Sequence, residues 1–300
     1  MLVGQRPPPK RGLRYLNVGH TGLNDRAIAG WLKRNDIRAF YFIHDLIPIA
    51  HPELCRPGEG EKHRERMINA LESATGIIGN SQITIDELAE FAALRSIPMP
   101  ANVVAWICGY GSGRPVAGKV LDRPYFVTVG TIEARKDHLK LLRVWQRLVR
   151  TMGQEAPILV IVGQPGWEAD EAIAILGNLG DLKAKVLHFE DCGDEELAAW
   201  IAGACALLMP SVAEGFGLPI VEALNYGTPT IASELPVYRE VVNDIPTYLP
   251  PGDEVAWELT ISSFAEGGPE RERQLRRLAD YRSPSWESHF AIVDGWLAGF

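Results

Sequence analysis

The stretch Glu214–Glu222, EGFGLPIVE, follows the short apolar run CALLMP (205–210) and combines two glycines, a proline and two carboxylates. An apolar run that leads through a glycine-containing loop into a helix is typical of parallel α/β sheets. Pro219 suits the first turn of such a helix, and Gly215 and Gly217 let the backbone approach a ligand closely. The stretch therefore predicts an α/β fold with a strand-to-helix turn here, either as a helix cap or as part of a binding site.

Short apolar runs alternate with amphipathic segments along the whole chain, as in α/β proteins. After residue 120 these runs are fully apolar, which favours a parallel sheet covered on both faces. The chain has 300 residues, more than one core usually needs. We therefore expect two domains at 1–118 and 119–283, joined by a glycine-rich linker (108–119), and a C-terminal helix at 284–300 that packs back toward the first domain. Predicted strands are 14–18, 39–44, 76–79, 102–106, 125–130, 157–163, 185–190, 205–210 and 229–233.

Composition and charge exclude several classes of protein. No apolar run approaches the roughly 18 residues that span a bilayer, and the first residues lack a secretory h-region, which predicts a cytoplasmic protein. Residues 1–120 carry 15 Lys and Arg against 11 Asp and Glu, whereas residues 121–300 carry 15 against 27. The acidic balance argues against a nucleic-acid partner. The mildly basic first part suits an anionic substrate or a membrane surface, or is only unevenly charged solvated surface. Four cysteines without metal-ligand spacing predict buried free thiols.

A second strand-to-helix turn lies in VTVGTIEARKDHLKLL (127–142), where a predicted strand ends at Gly130. Arg135 and Lys136 follow at the predicted start of a helix. Ligands of open α/β sheets bind at the carboxyl ends of strands, and two cations at a helix N-terminus oppose the helix dipole unless an anion lies between them. The segment therefore predicts an anion site, with a solvated Arg-Lys pair as the alternative.

The turn at Glu214–Glu222 complements this anion site. The amides of Phe216, Gly217 and Leu218 are expected to face a phosphate or a sugar hydroxyl, with Glu214 in the loop and Glu222 about one turn into the helix. Two carboxylates would repel a phosphate alone, but they accept hydrogen bonds from hydroxyl groups. Together the two turns describe a nucleotide-sugar site with cations on the diphosphate and glutamates on the sugars.

Four segments of the sequence resemble a known family. VGTIEARKDH, LVIVG, DEELAAWIAGACALLMPSVAEGFGLPIVEALNYGTPTIAS and LPVYREVV resemble the retaining GT-B glycosyltransferases of family four, whose hallmark is Glu-x7-Glu, here Glu214 and Glu222. The match runs in order from about residue 120 to 250. The resemblance implies the GT-B fold, two Rossmann-like domains with parallel sheets facing across a cleft. The N-terminal domain starts near what resembles the family's third strand, so we expect it to be shortened and incomplete.

The resemblance also implies roles for the donor-binding residues. Arg135 and Lys136 would neutralise the diphosphate, with Gly130 close to the phosphate. Glu222 would bind the ribose hydroxyls of the nucleotide. Glu214 would contact the transferred sugar.

Further roles come from the same resemblance. The backbone of Phe216, Gly217 and Leu218 would hold the hydroxyls of the sugar. FYFIHDLIP resembles the strand-end His-Asp of the family, which would place His44 near the donor sugar and the acceptor. His20 and Thr21, in NVGHTG, follow another predicted strand. Ser81, in GIIGNSQ, is either a helix cap or a ligand contact.

The sequence as a whole is similar to those of bacterial mannosyltransferases of polysaccharide assembly. The implied function is retaining transfer of a hexose, with GDP-mannose the best guess for the donor, to a saccharide or lipid-linked acceptor. The sequence has no Asp-x-Asp, so no metal is expected, and no cofactor beyond the nucleotide sugar, of GDP or UDP type. We expect peripheral contact of the N-terminal domain with the inner face of the membrane. A non-catalytic nucleotide-sugar-binding remnant is an alternative; a dinucleotide oxidoreductase is disfavoured because no Gly-x-Gly-x-x-Gly opens a helix.

Overall fold

The computed structural model describes residues 12–109 and 120–300. Within those residues the chain forms two compact units. The first holds the chain up to Pro52, Pro57–Trp106 and Glu287–Phe300, and the second holds Glu53–Arg56 and Ile107–Trp286. Of the predicted linker, residues 110–119 lie outside the described residues.

The first unit is built on a four-stranded parallel sheet in which strand order follows chain order. Its strands are β1 (Arg14–Asn17), β2 (Arg38–Ile43), β3 (Gly76–Gly79) and β4 (Ala101–Val104). Its helices, numbered in chain order, are α1 (Arg26–Arg34), α2 (Ile47–Ala50), α3 (Glu59–Ser73), α4 (Gln82–Ala93) and α12 (Trp286–Leu297).

Strand β2 is buried on both faces, which explains why its sequence is apolar without alternation. Tyr41 and its neighbours on one face belong to the core formed with the helices. Phe40, on the other face, packs edge-on against Trp296 and Phe300, with ring centroids 5.7 and 5.2 Å apart. The C-terminal segment thus completes the layer over this sheet, within the first unit.

The segment TIDELAEFAALR (84–95), with Thr84 three residues before Glu87, predicts a helix capped by Thr84, but helix α4 begins earlier. Ser81, not Thr84, is the N-cap: it has extended backbone dihedrals, and its hydroxyl accepts a hydrogen bond from the Thr84 amide at 3.1 Å. The Thr84 hydroxyl instead donates to the side-chain carbonyl of Asn80 at 2.9 Å. The predicted cap at Thr84 is therefore wrong by about one turn. Ser81 and Thr84 both carry a hydroxyl group that can cap a helix, and the sequence does not show which of them does.

The second unit holds a six-stranded parallel sheet in the order β7-β6-β5-β8-β9-β10. This is the 3-2-1-4-5-6 order of doubly wound nucleotide-binding folds, which reverses direction between its first and fourth strands. The strands are β5 (Tyr125–Val129), β6 (Ile158–Val162), β7 (Val186–Phe189), β8 (Ala206–Met209), β9 (Thr230–Ser233) and β10 (Thr247–Leu249). The helices are α5 (His138–Met152), α6 (Asp170–Gly177), α7 (Asp194–Gly203), α8 (Leu218–Asn225), α9 (Pro236–Val242), α10 (Glu254–Ala265) and α11 (Pro269–Leu278).

Aromatic side chains fill the core between this sheet and α5. Trp145 is fully buried, packs edge-on against Phe126 with ring centroids 5.9 Å apart, and donates its indole N–H to the Pro157 carbonyl at 2.9 Å. Trp257 of α10 is buried in the same core. Burial of a large aromatic with its polar atom satisfied is strongly stabilising, so α5 is held rigidly against the sheet.

Strand β10 was not predicted, because its three residues, Thr247–Leu249, give too short a pattern to be recognised in the sequence. No helix among the described residues has the length and apolar character to cross a membrane. The four cysteines are free, as predicted, but each is partly exposed rather than buried.

Candidate functional site

The two predicted turns lie side by side in the second unit because β5 and β8 are neighbours at the point where strand order reverses. The Val212 amide donates to the Arg135 carbonyl at 2.8 Å and ties the two loops together. Crevices at such reversal points are where ligands of doubly wound sheets bind.

Glu214 is the centre of a compact ionic cluster. The Lys136 Nζ lies 2.5 Å from Glu214 Oε1, and Arg135 Nη1 lies 2.9 Å from Glu214 Oε2. The Ser211 hydroxyl also donates to Glu214 Oε1, at 2.8 Å. With the Glu214 side chain only 6% exposed, these partners account for how a carboxylate can be buried there.

The structure corrects the expected relation between the two cations and the helix. Residues Ala134–Lys136 form a short 3-10 turn, and α5 starts only at His138. Asp137 is the N-cap and accepts a hydrogen bond from the Lys140 amide at 3.3 Å. The helix dipole is therefore met by an acidic cap, and the anion that balances the two cations is a carboxylate of the protein itself.

The two buried carboxylates of this cluster respond to it in opposite ways. Burial alone would raise the pKa of Glu214, but Lys136 and Arg135 outweigh it and hold that pKa below its ordinary value. Glu133, whose side chain is 2% exposed, has its pKa raised by burial although Arg135 and Lys136 act against the shift. Glu214 is thus held ionised between the cations, whereas Glu133 lies nearer to protonation.

The turn before α8 requires glycine at one position. Gly217 is the N-cap with φ 93°, and a Cβ there would lie 2.6 Å from Cε1 of the buried Tyr238. Gly217 brings no side chain to accept hydrogen bonds from the first-turn amides, and Pro219 fills the first turn. Phe216 is buried, so its ring does not present a surface to a ligand.

Glu222 lies on α8, in the position that the sequence predicts. A Cβ on Gly109 would come within 2.7 Å of Glu222 Cγ, so the glycine leaves room for this side chain. Burial raises the pKa of Tyr226, one turn further along, and the charge of Glu222 adds to the shift.

Gly130 directly follows β5 and has φ 137°, and a Cβ there would lie 3.5 Å from Lys136 Cε. Its amide donates to the Val162 carbonyl at 2.9 Å. Gly163, directly after β6, passes so close that a Cβ on it would lie 2.0 Å from the Gly130 carbonyl oxygen. The loop that carries the cations is therefore packed backbone to backbone against the next strand.

In the first unit, His44 and His20 cross-link the ends of β1 and β2. His44 Nε2 donates to the Val18 carbonyl at 2.7 Å, and His20 Nε2 donates to the Phe42 carbonyl at 3.1 Å. Carbonyls only accept, so both rings carry their proton on Nε2. The two rings are 5.3 Å apart. Burial, His63 and His44 lower the pKa of His20 to about 4, so this ring is neutral at physiological pH.

Several residues of these sites were not identified from the sequence. Ser211 and Glu133 complete the ionic cluster, and Asn80 donates to the His44 carbonyl at 2.7 Å. The only local sign that could have suggested Glu133 is its position two residues before Arg135.

Ser81, which the sequence left as either cap or ligand contact, serves as the cap of α4. Thr21 accepts a hydrogen bond from the Asn17 side chain at its carbonyl. Within the described ranges, no group of three metal-ligating side chains could hold a metal ion.

Comparison with known proteins gives a family match over the second unit. The model of "Glycosyl transferases group 1" matches residues 113–278. The "O-antigen chain mannosyltransferase B" of Escherichia coli is 33% identical over 260 residues, which cover 84% of this chain and 68% of the relative. The "Serotype-specific mannosyltransferase WbdA" of Escherichia coli is 27% identical over 232 residues, which cover 69% of this chain but only 27% of that much longer relative.

Among solved structures, Anabaena HepE in complex with UDP aligns with a TM-score of 0.70 at 15% identity, covering 95% of this chain and 79% of HepE. Identity this low shows the fold alone, and it is the GT-B fold expected from the sequence. The family match over more than half of the chain, together with the relative that is 33% identical, shows that this chain belongs to the glycosyl transferases group 1 family.

Proposed function

We propose that the chain is a glycosyltransferase that moves a hexose from a nucleoside diphosphate sugar to a saccharide or lipid-linked acceptor in polysaccharide biosynthesis. The observation that carries the proposal is the cluster of Arg135, Lys136 and Glu214 beside the N-terminus of α8. Two cations suit a diphosphate, and a buried carboxylate suits a sugar hydroxyl. The names of the relatives, which are mannosyltransferases, favour mannose as the sugar.

Donor binding would draw on both turns. Arg135 and Lys136 would share their charge between Glu214 and the arriving diphosphate. Glu222, beside Gly109, would accept hydrogen bonds from the ribose hydroxyls. We propose GDP-mannose as the donor; UDP bound to HepE supports a nucleoside diphosphate in this fold but does not favour guanine.

We propose transfer with retention of anomeric configuration, by attack from the face that the diphosphate leaves. The bond between the anomeric carbon and the phosphate oxygen breaks, a bond from that carbon to the acceptor oxygen forms, and the departing phosphate takes the acceptor proton. Lys136 and Arg135 would stabilise the charge that develops on the leaving diphosphate. His44 would lie near the transferred sugar and the acceptor. We propose that no divalent metal is needed, since these two cations already supply positive charge.

A non-catalytic nucleotide-sugar-binding protein is the alternative. It would need the same ionic cluster and the same ribose contact, and the relatives named as mannosyltransferases favour the enzyme over it. Turnover separates the two: an enzyme transfers or hydrolyses the sugar, whereas a binding protein only binds the nucleotide.

A thermal-shift screen of the purified chain against GDP, UDP, dTDP and ADP sugars, followed by assays of transfer and hydrolysis, tests the function. We expect one nucleotide class to raise the midpoint of unfolding, since ligand at ~100 times its Kd adds about 2.7 kcal/mol to the free energy of unfolding. Glu222→Ala should weaken this shift. If no nucleotide sugar shifts the midpoint, the donor site is wrongly assigned; if binding occurs without turnover, the alternative is correct.

We further propose that the first unit contacts the inner, cytoplasmic face of a membrane through α1. This helix carries no acidic residue, and its exposed side chains include Arg26, Lys33 and Arg34 as well as Trp31, which is 45% exposed. An exposed indole among cations suits an anionic lipid surface, where each Lys or Arg adds about 1 kcal/mol.

Flotation with vesicles of phosphatidylcholine, with and without phosphatidylglycerol, tests this contact. We expect binding only to the anionic vesicles, weakening as salt is added, and loss of binding in the double variant Trp31→Ser/Arg34→Ser. Arg150→Ser, on the exposed side of α5 in the second unit, is the matched control and should bind like the parent. Equal binding of the α1 variant and the parent would rule out this surface.

A further inference from the structure

Glu133 is a buried carboxylate next to the proposed donor site that has no role in the function above. It lies between the end of β5 and the turn Ala134–Lys136, with its side chain 2% exposed. Its Oε1 lies 2.5 Å from Arg135 Nε. Its own backbone is fixed as well, because the Lys136 amide donates to its carbonyl at 3.0 Å.

Arg135 is therefore held by carboxylates at two separate parts of its guanidinium group. Glu133 forms an ion pair at the Nε side, and Glu214 accepts a hydrogen bond from Nη1 at 2.9 Å. A guanidinium group is planar and rigid, so two such contacts fix both its position and the orientation of its plane. Glu214, and the Ala213 carbonyl 3.4 Å from Nη1, contact the other end of this guanidinium group, so Glu133 is the contact at the Nε side.

A gain in the free energy of unfolding is a weak explanation for a buried carboxylate at position 133. Burying a carboxylate carries a large desolvation cost, and replacing a buried ion pair by apolar groups often leaves stability unchanged or improves it. Arg135 is 25% exposed and could be solvated without this partner. A rigid cation that meets an anion without reorganisation, in contrast, has a clear benefit for binding and for stabilising a leaving group.

The charge of the cluster supports the same interpretation. Before a ligand arrives, Arg135 and Lys136 face two carboxylates of the protein, Glu133 and Glu214. Glu214 is the member proposed to contact the transferred sugar. That leaves Glu133 as the partner whose contact with Arg135 does not compete with the donor for the same nitrogen.

We propose that Glu133 is a positioning residue, which holds the Arg135 guanidinium in the orientation that receives the diphosphate of the donor. This inference rests on the proposed function, because it takes Arg135 as the diphosphate ligand. It adds to the binding site a residue of the strand-end segment 127–142 that the sequence did not single out, and it predicts that the two side chains act as one unit.

Calorimetric titration of the full chain with inorganic pyrophosphate, UDP and GDP, and with uridine and guanosine as comparisons without phosphate, tests the proposal. We expect Glu133→Gln to weaken diphosphate binding about tenfold, as when an outer partner of a ligand-binding group is removed, and to leave binding of the free nucleoside unchanged. Arg135→Lys keeps the charge but loses the planar guanidinium group with its several N–H donors, and it should weaken diphosphate binding by a similar factor. Adding Glu133→Gln to Arg135→Lys should cause no further loss, because the group to be positioned is gone.

Glu155→Gln, an exposed change in the same unit, is the matched control and should bind like the parent. If Glu133→Gln does not fold, Glu133→Asp, which keeps the charge but withdraws the carboxylate, is measured in its place with the same expectation. Parent-like binding by the folded Glu133 variant, or an equal loss in the Arg135→Lys background, would overturn the positioning role while the donor site stands. If the parent binds none of the three probes, the donor site itself is wrong.

Discussion

Replacing Lys136 by methionine should lower the turnover of sugar transfer by about 10²- to 10³-fold, the usual effect of removing one preorganised group that stabilises developing charge. Affinity for the nucleoside part of the donor should change far less, because Lys136 lies in the cluster with Glu214 and Arg135 rather than beside Glu222. The measurement is steady-state kinetics with the donor that the nucleotide-sugar screen identifies. A loss of this size corresponds to about 3–4 kcal/mol of transition-state stabilisation.

Two controls separate the loss of chemistry from a loss of stability. Methionine at position 136 removes one partner of the buried Glu214, and breaking a buried ion pair can cost about 3–5 kcal/mol of the free energy of unfolding. The double variant Lys136→Met/Glu214→Gln removes both charges, so it should recover stability but not turnover. Lys183→Met, on an exposed position, should match the parent in both. Turnover of Lys136→Met equal to that of the parent would contradict the role of this cation.

Gly163→Ala should be the most destabilising glycine-to-alanine substitution in the second unit. It should lower the free energy of unfolding by about 3 kcal/mol, the upper end of the effects of overpacking. Its Cβ would lie 2.0 Å from the Gly130 carbonyl oxygen and 2.6 Å from the Gly130 carbonyl carbon. These are backbone atoms that cannot rotate away, so the loop after β5 must shift. Because that loop carries Arg135 and Lys136, diphosphate binding should weaken together with stability. Urea unfolding and titration with UDP or GDP measure the two effects.

Gly177→Ala is the matched control for this prediction. Gly177 ends α6, and a Cβ there would meet no atom within 4 Å. Alanine favours the helix over glycine by up to about 1 kcal/mol, so this variant should be as stable as the parent or slightly more stable. If Gly163→Ala is also as stable as the parent, the close approach of the two loops is not a feature of the folded protein.

The sequence predicted the strands of the second unit well because each is a short apolar run in a fully covered parallel sheet. Tyr125–Val129 and Ile158–Val162, for example, lie within one residue of the predicted bounds. Helix α5 was also predicted, since its apolar residues recur with helical spacing, but it begins at His138 rather than at Arg135 and Lys136. Local pattern fails where two signals compete, as at Ser81 and Thr84, or where the element is very short, as in Thr247–Leu249.

The identity of the candidate site residues was also available from the sequence, since Arg135, Lys136, Glu214 and Glu222 follow predicted strand ends in a pattern typical of one family. Their arrangement was not. The sequence assigned the cations to a diphosphate and Glu214 to a sugar, as separate parts of one ligand. In the structure Glu214 pairs with both cations, and the helix dipole that seemed to oppose them is met by Asp137.

What the sequence by itself determined is therefore local: strand ends, turn glycines, a proline in the first turn of α8, and the types of residue that follow each strand. What only the tertiary structure decided is which of these side chains meet. Lys136 and Glu214 are 78 residues apart in the chain, and they touch because β5 and β8 are neighbours in the sheet. Periodicity reports on neighbours a few residues apart, whereas strand order is set by the packing of the whole unit, so the ionic cluster and the place of Glu133 in it appear only in the folded protein.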